Sequence, residues 1–375
     1  MLLQEKEEKK VEYLELIYDL IFVYIIGRNN SLLQAVEGGF VPAGRFFAYV
    51  LCTLAVIQIW TFSTLYMNMF GRNSVRDHVF LFINMYLLYY IGEGTRLRWE
   101  GYRTQYHAAW ALVLINIGVQ YMIELRNHRG EREAEKMIRH RAFTLFTEAA
   151  IVLLAIPSFP IPFYVFSALA VLAGFGMTWL LAQKGKEVLV DFSHLTERAM
   201  LYVVFTFGEM IIAIASYFEG ELTINSIYFS LMAFLIVAAL FLSYEILYNH
   251  IIDRERRTRG IAYMMIHFFL IFAMNNITAA LEFMRDPDIL LLPRIEFLIL
   301  AFLLFYVCLF GLMKYAKRRM GMSVRFAAPL GVMTILFVVL MFVFRENMRV
   351  NIAISVVFVY AMFLRIYVFR RENHA

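Results

Sequence analysis

The chain has 375 residues, of which 61% are hydrophobic and 17% aromatic, and its mean hydropathy is +0.65. Soluble domains sit nearer about 45–50% apolar, so this composition excludes a soluble globular protein and marks an integral membrane one. The net charge of +5 is dispersed between apolar runs, which points away from a nucleic-acid partner and towards membrane topology.

A transmembrane helix needs about 20 apolar residues. About twelve such runs follow one another, over 13–36, 45–70, 77–93, 104–125, 142–158, 160–183, 198–217, 225–250, 260–282, 294–316, 325–344 and 349–369. They predict an all-α polytopic membrane protein whose chemistry lies within the bilayer or at its rims. Met1–Lys10 has mixed charge and no apolar stretch before a small-residue cleavage site, unlike a signal peptide. With twelve spans, about 26 of the 35 basic residues fall on the side of the N-terminus, including the clusters at 126–141, 254–259 and 314–325. The positive-inside rule then makes both termini cytoplasmic.

The first run drives acids into the membrane. Glu12, Glu15 and Asp19 follow i, i+3, i+7 spacing and share one helical face, with Asp19 about 10 Å deeper than Glu12. An ionisable group at that depth usually faces protein or a water-filled path and is a candidate functional site. Along the chain, Arg126–Lys136 alternates in charge and reads as a solvated helix or helical extension. Pro157, Pro160 and Pro162 mark a tight outer turn. Cys52 and Cys308 lie singly in separate spans, so neither a disulfide framework nor a cysteine metal site is expected.

The six spans of residues 1–183 and the six of 184–375 read as two copies of one plan. Trp60–Asp77 (WTFSTLYMNMFGRNSVRD) and Leu242–Gly260 (LSYEILYNHIIDRERRTRG) each carry a tyrosine, an Asn/His position, a basic turn and then a new apolar run. An even number of spans per copy makes the repeats parallel. The first and seventh helices then correspond, and each carries a deep acid, Asp19 and Glu209. Glu209 lies about 16 Å beyond Arg198 along its helix, next to Gly208, which would let a helix or ligand approach closely. Such carboxyls could bind a cation or exchange a proton. The plainer reading stays open: Glu12 and Glu15 complement a helix N-terminus, and Asp19 and Glu209 make structural interhelical contacts. Single histidines such as His78, His107 and His267 read as hydrogen-bonded helix contacts.

Several short motifs bear a resemblance. Glu15-Leu16-Ile17-Tyr18-Asp19-Leu20-Ile21-Phe22-Val23 resembles the E-L-x-x-D-L-x-F-V opening of the bacterial low-temperature-requirement A (LtrA) family. His194-Leu195-Thr196-Glu197-Arg198 and Phe207-Gly208-Glu209-Met210-Ile211 are similar to its H-x-x-E-R and G-E-S-I motifs, with Met210 in place of the usual serine. Tyr66, and Tyr248 followed by Asp253-Arg254, match a looser third pattern. The resemblance implies a polytopic protein of the bacterial cytoplasmic membrane. More loosely, the repeat plan and Asp19 with its apolar flanks are similar to lysosomal and bacterial potassium channels whose first helix carries Phe-Ser-Asp.

These residues favour a channel or secondary transporter for a cation or small solute, with Asp19 and Glu209 as ion or proton sites. Tyr18, Glu12, Glu15, Gly208, His194, Glu197, Arg198, Tyr66, Tyr248, Asp253 and Arg254 would support them. The alternatives are a membrane enzyme on a lipid-linked substrate, using Glu12, Glu15, His194 and Glu197 at the rim, or a stress and cold-adaptation protein without transport activity. No nucleotide-binding loop, serine elbow or zinc motif appears, so no cofactor or metal is expected. The expected partners are membrane lipid and the solute, and Gly174-Phe175-Gly176 could pack helices within the chain or in a homo-oligomer.

Overall fold

A computed structural model describes residues 9–95, 99–157, 162–184, 190–218 and 222–374. Pro160, the centre of the link after Lys184, and Lys6, Arg96, Arg98 and Lys186 lie outside the described residues. Twelve α-helices follow in order among those described: α1 (Tyr13–Asn29), α2 (Ala43–Phe70), α3 (Val75–Gly94), α4 (Trp99–Asn127), α5 (Arg132–Leu153), α6 (Phe163–Lys184), α7 (Phe192–Ala213), α8 (Ile224–Ile246), α9 (Ile261–Phe283), α10 (Leu291–Gly311), α11 (Val324–Val343) and α12 (Met348–His374). Short 3-10 turns extend α1 (Asn30–Leu33), α7 (Ile214–Phe218) and α10 (Leu312–Tyr315), and a π-helical turn, Leu247–Ile251, extends α8.

Eight helical stretches are long and apolar enough to cross a membrane: Ala43–Phe70, Gly101–Asn127, Phe192–Phe218, Ile224–Ile251, Ile261–Phe283, Leu291–Tyr315, Val324–Val343 and Met348–Asn373. This is a membrane protein. The other four helices have identifiable reasons for falling short. Helix α1 has 17 residues and carries Glu15, Asp19 and Arg28, and α3 carries Arg76, Asp77 and Glu93. Helix α5 opens on the charged stretch Arg132–Arg141; α6 is the exception, apolar along nearly all of its 22 residues. The charged stretch 126–136, expected as a helix or a helical extension, comprises the end of α4, a turn through Gly130 at φ 97°, and the start of α5. Asn275 and Asn276 leave α9 unbroken.

The residues fall into two compact units. The first comprises Met1–Ala35, Val41–Tyr202 and Arg257–Met264. Its axis is α2, which packs against α1, α4, α6 and the Asn30–Leu33 turn, while α3, α4, α5 and α6 pack in succession. Helix α2 buries polar side chains along its length, Thr53, Gln58, Thr61, Ser63, Thr64 and Asn68 among them. It ends at Gly71, and α3 begins with Ser74, whose hydroxyl accepts from the Asp77 N–H while the Asp77 carboxylate accepts from the Ser74 N–H. This reciprocal capping satisfies two orphan donors of the new helix.

The second unit comprises Val36–Phe40, Val203–Arg256 and Met265–Ala375. Here α8 packs against α12 and the Ile214–Phe218 turn, and α11 packs against α12 and α10. Helix α11 contains Pro329 in its second turn. Proline has no N–H, so the Arg325 carbonyl four residues earlier loses its helical donor. Arg365 of α12 supplies one: its Nη2 donates to that carbonyl at 3.1 Å, and its guanidinium lies 5.3 Å from the Phe326 ring centre. Arg365→Gln should therefore cost about 1 kcal/mol, and the loss should shrink in a Pro329→Ala background that restores the backbone donor. Denaturant unfolding of the four proteins of this cycle in detergent measures the difference.

Candidate functional site

The first unit gathers the acids of α1 into a dry cluster. Four α1 side chains at i, i+3, i+4 and i+7, Glu15, Tyr18, Asp19 and Phe22, are all buried. That stripe faces the interior because it is the one face of α1 with polar groups to satisfy. On α7, His194, Arg198 and Tyr202 recur every fourth residue and are likewise buried.

These two faces form a ladder in matching order. Asp19 is 0% exposed and accepts from Arg198 Nη2 at 2.5 Å and Nε at 3.4 Å. Trp60 of α2 donates its indole N–H to the same Oδ1 at 2.8 Å, and the Tyr202 ring lies 4.3 Å from the Trp60 ring. One turn earlier, Glu15 Oε2 stands 3.5 Å from both His194 Nε2 and Arg198 Nε. Those separations are too long or poorly aligned for good hydrogen bonds. Both Glu15 oxygens, His194 Nε2 and Arg198 Nη1 therefore stay buried without a hydrogen-bond partner.

Helix α2 closes the cluster from its C-terminal end. Asn68 lies 3.0 Å from His194 Nδ1, donates to the Asp191 carbonyl at 2.8 Å and accepts from the Asp191 N–H at 3.0 Å. The Asp191 carboxylate in turn accepts from the His194 N–H, capping the start of α7. Lys9 donates to the carbonyls of Met67, Asn68 and Gly71, where the negative end of the α2 dipole favours a cation. Burial pulls the Lys9 ammonium below its ordinary pKa, while the Glu15 charge pulls the other way. Tyr18 extends the polar network on the other side. Its hydroxyl accepts from Asn84 at 3.3 Å, and Asn84 accepts from Asn116 at 2.8 Å.

A sequence profile of the family described as bacterial low temperature requirement A protein (LtrA) matches residues 10–363. The chain belongs to the LtrA family. No curated protein and no solved structure matches it. The LtrA opening on α1 and the His-x-x-Glu-Arg segment on α7 are thus the two sides of one ladder. Glu12 and Glu197 from those segments are half-buried beside it.

The remaining LtrA motif residues lie elsewhere. Glu209 belongs to the second unit, is half-buried, and makes no hydrogen bond or ion pair among the described residues. At Gly208 a Cβ would meet nothing within 4 Å among the described residues. Tyr66 packs edge-on against Tyr121 at 5.1 Å in the first unit, near the ion pair of Arg76 and Glu124. Tyr248 lies in the second unit with the Arg254 guanidinium 5.2 Å from its ring centre, and the Asp253 N–H donates to the Tyr315 carbonyl. Histidines behave as helix contacts: His107 Nε2 is 2.8 Å from Ser167 Oγ, and His267 Nε2 is 3.0 Å from Tyr244 OH. Among the described residues no group of three His, Cys, Asp or Glu side chains is arranged to hold a metal ion.

Trp60 and Asn68, from the Trp60–Asp77 repeat stretch, and Asp191 and Lys9 complete the cluster from outside the LtrA-like segments. Trp60 carried a usable signal, because a buried indole N–H needs an acceptor, and Asp19 is the nearest deep acid in sequence. Breaking a buried pair by removing one partner costs about 3–5 kcal/mol. Asp19→Asn and Arg198→Met should each incur that loss, against about 1 kcal/mol for Trp60→Phe. Thermal loss of the monodisperse peak on size-exclusion chromatography should rank the variants in that order.

Proposed function

We propose that this LtrA family protein is a proton-linked channel or secondary transporter for a cation or small solute. The observation that carries this reading is the contrast within the α1–α7 ladder. Asp19 accepts hydrogen bonds from Arg198 and Trp60, whereas the Glu15 oxygens and His194 Nε2 face each other at 3.5 Å with no hydrogen-bond partner. A carboxylate and an imidazole at that distance can share one proton and close to hydrogen-bonding range when they do. In this reading Asp19 fixes the geometry, the Glu15–His194 pair takes the proton, and Glu209 is the corresponding acid of the second unit.

We further propose that all twelve helices cross the bacterial cytoplasmic membrane, with both termini cytoplasmic, as parallel repeats over 1–183 and 184–375. Packing within the two units supports this. Helix α2 packs against α6 and a 3-10 turn after α1, and α8 packs against α12 and a 3-10 turn after α7. Helices α5 and α6 pair, as do α11 and α12. The last spans of α2 and α8, counting the π-helical turn, have equal lengths of 28 residues. Membrane enzyme chemistry finds less support, since the rim acids Glu12 and Glu197 join no hydrogen-bonded constellation with His194.

The test is ion flux in proteoliposomes under imposed K⁺, Na⁺ and proton gradients. Glu15→Gln and Glu209→Gln, which leave the Asp19–Arg198 pair intact, should each reduce flux at least about tenfold, equivalent to about 1.4 kcal/mol in the limiting barrier, while remaining monodisperse. Wild-type liposomes as tight as empty ones to all three ions would remove the reading.

A further inference from the structure

A further buried acid of the first unit lies apart from the ladder. Glu148 of α5 is 0% exposed, and neither of its carboxyl oxygens has a hydrogen-bond partner. Among the described residues it joins no ion pair. Across from it, α6 presents Gly174. A Cβ at that position would stand 1.9 Å from Glu148 Oε2 and 2.4 Å from Gln58 Nε2. The missing side chain is thus the space that the carboxyl and the amide occupy.

Gln58 of α2 is also fully buried and donates through Nε2 to the Val171 carbonyl at 3.1 Å, which leaves its Oε1 unpartnered. Thr178, one turn beyond Gly174 on the same face of α6, is buried with its hydroxyl unpartnered too. Glu148 and Gln58 therefore meet at the cradle of Gly174, with the buried Thr178 hydroxyl one turn along α6. A carboxylate cannot stay ionised and unpaired there. It must hold a proton or a cation, and hard cations take oxygen ligands of these kinds. One carboxylate neutralises one positive charge, so a divalent ion would leave a net buried charge.

We propose that Glu148, Gln58 and the cradle at Gly174 form a buried site for a monovalent cation, occupied by a proton or, in exchange for it, by an alkali-metal ion. The site stands on its own geometry and does not depend on the transport reading. The probe is dicyclohexylcarbodiimide, which enters apolar surroundings and reacts with protonated carboxyl groups, applied to the purified wild-type chain in detergent and located by peptide mass spectrometry. Glu148 should be labelled in choline chloride, and the rate should fall at least about fivefold in NaCl or KCl of equal ionic strength, as competition for one site requires. Gly174→Ala should abolish the protection while leaving an adduct. Labelling that neither Na⁺ nor K⁺ slows, or no adduct on Glu148 in folded protein, would overturn the proposal. The readout is occupancy rather than flux, so a failure here and a failure of the transport reading are separate results.

Discussion

The buried ion pair between Asp19 and Arg198 is the constraint around which the first unit is arranged. Neither charge can stand alone in a low-dielectric interior, and their mutual attraction offsets desolvation only with good geometry and further hydrogen bonds. The arrangement supplies both. Two guanidinium nitrogens reach the carboxylate, and the Trp60 indole adds a third donor from α2. Because Glu15 meets His194 and Asp19 meets Arg198, α1 and the start of α7 run in the same direction there. Helix α2 runs the opposite way, with Trp60 at the deeper rung and Asn68 at the shallower. Three helix directions and one register follow from a handful of polar contacts.

The two rungs differ in chemical character although they are one turn apart. The deeper is a closed electrostatic unit, with short contacts and an aromatic ring over the indole. The shallower has loose contacts and unpartnered atoms. A half-satisfied polar network costs more than a saturated one, so the shallower rung is the less stabilising of the two. Lys9 joins the same layer by capping the C-terminus of α2, which couples the chain before α1 to the electrostatics of Glu15.

Much of this was legible in the sequence. The i, i+4 spacing of Glu15 and Asp19 fixes a shared face whatever surrounds it, and two of the segments that carry the LtrA resemblance face each other in one cluster. The partners on α2 were only partly legible: the Trp60 indole called for an acceptor, but Trp60 and Asn68 are joined to Asp19 and His194 across 41 and 126 residues of chain. No local periodicity encodes such pairings. Gly208 and Gly174 teach the converse. Each is a small residue in an apolar helix, yet open space faces one and a carboxyl oxygen crowds the other. Smallness permits close approach without announcing it. Helix number was legible from apolar runs, but the charge on α1, α3 and α5 kept those helices below a simple hydropathy threshold.

The pairing of Asp19 with Arg198 spans 179 residues, and this separation has a consequence for biosynthesis. Chains grow at about 5–20 residues per second, so the first helix waits about 10–40 s before its counter-charge exists. Throughout that interval two carboxylates sit on a helix too short and too polar to partition stably into lipid by itself. The nascent helix must linger at the interface, at the translocation machinery or with its acids protonated. The α1 cluster can thus close only once the start of the seventh helix has been made, with five helices still to follow.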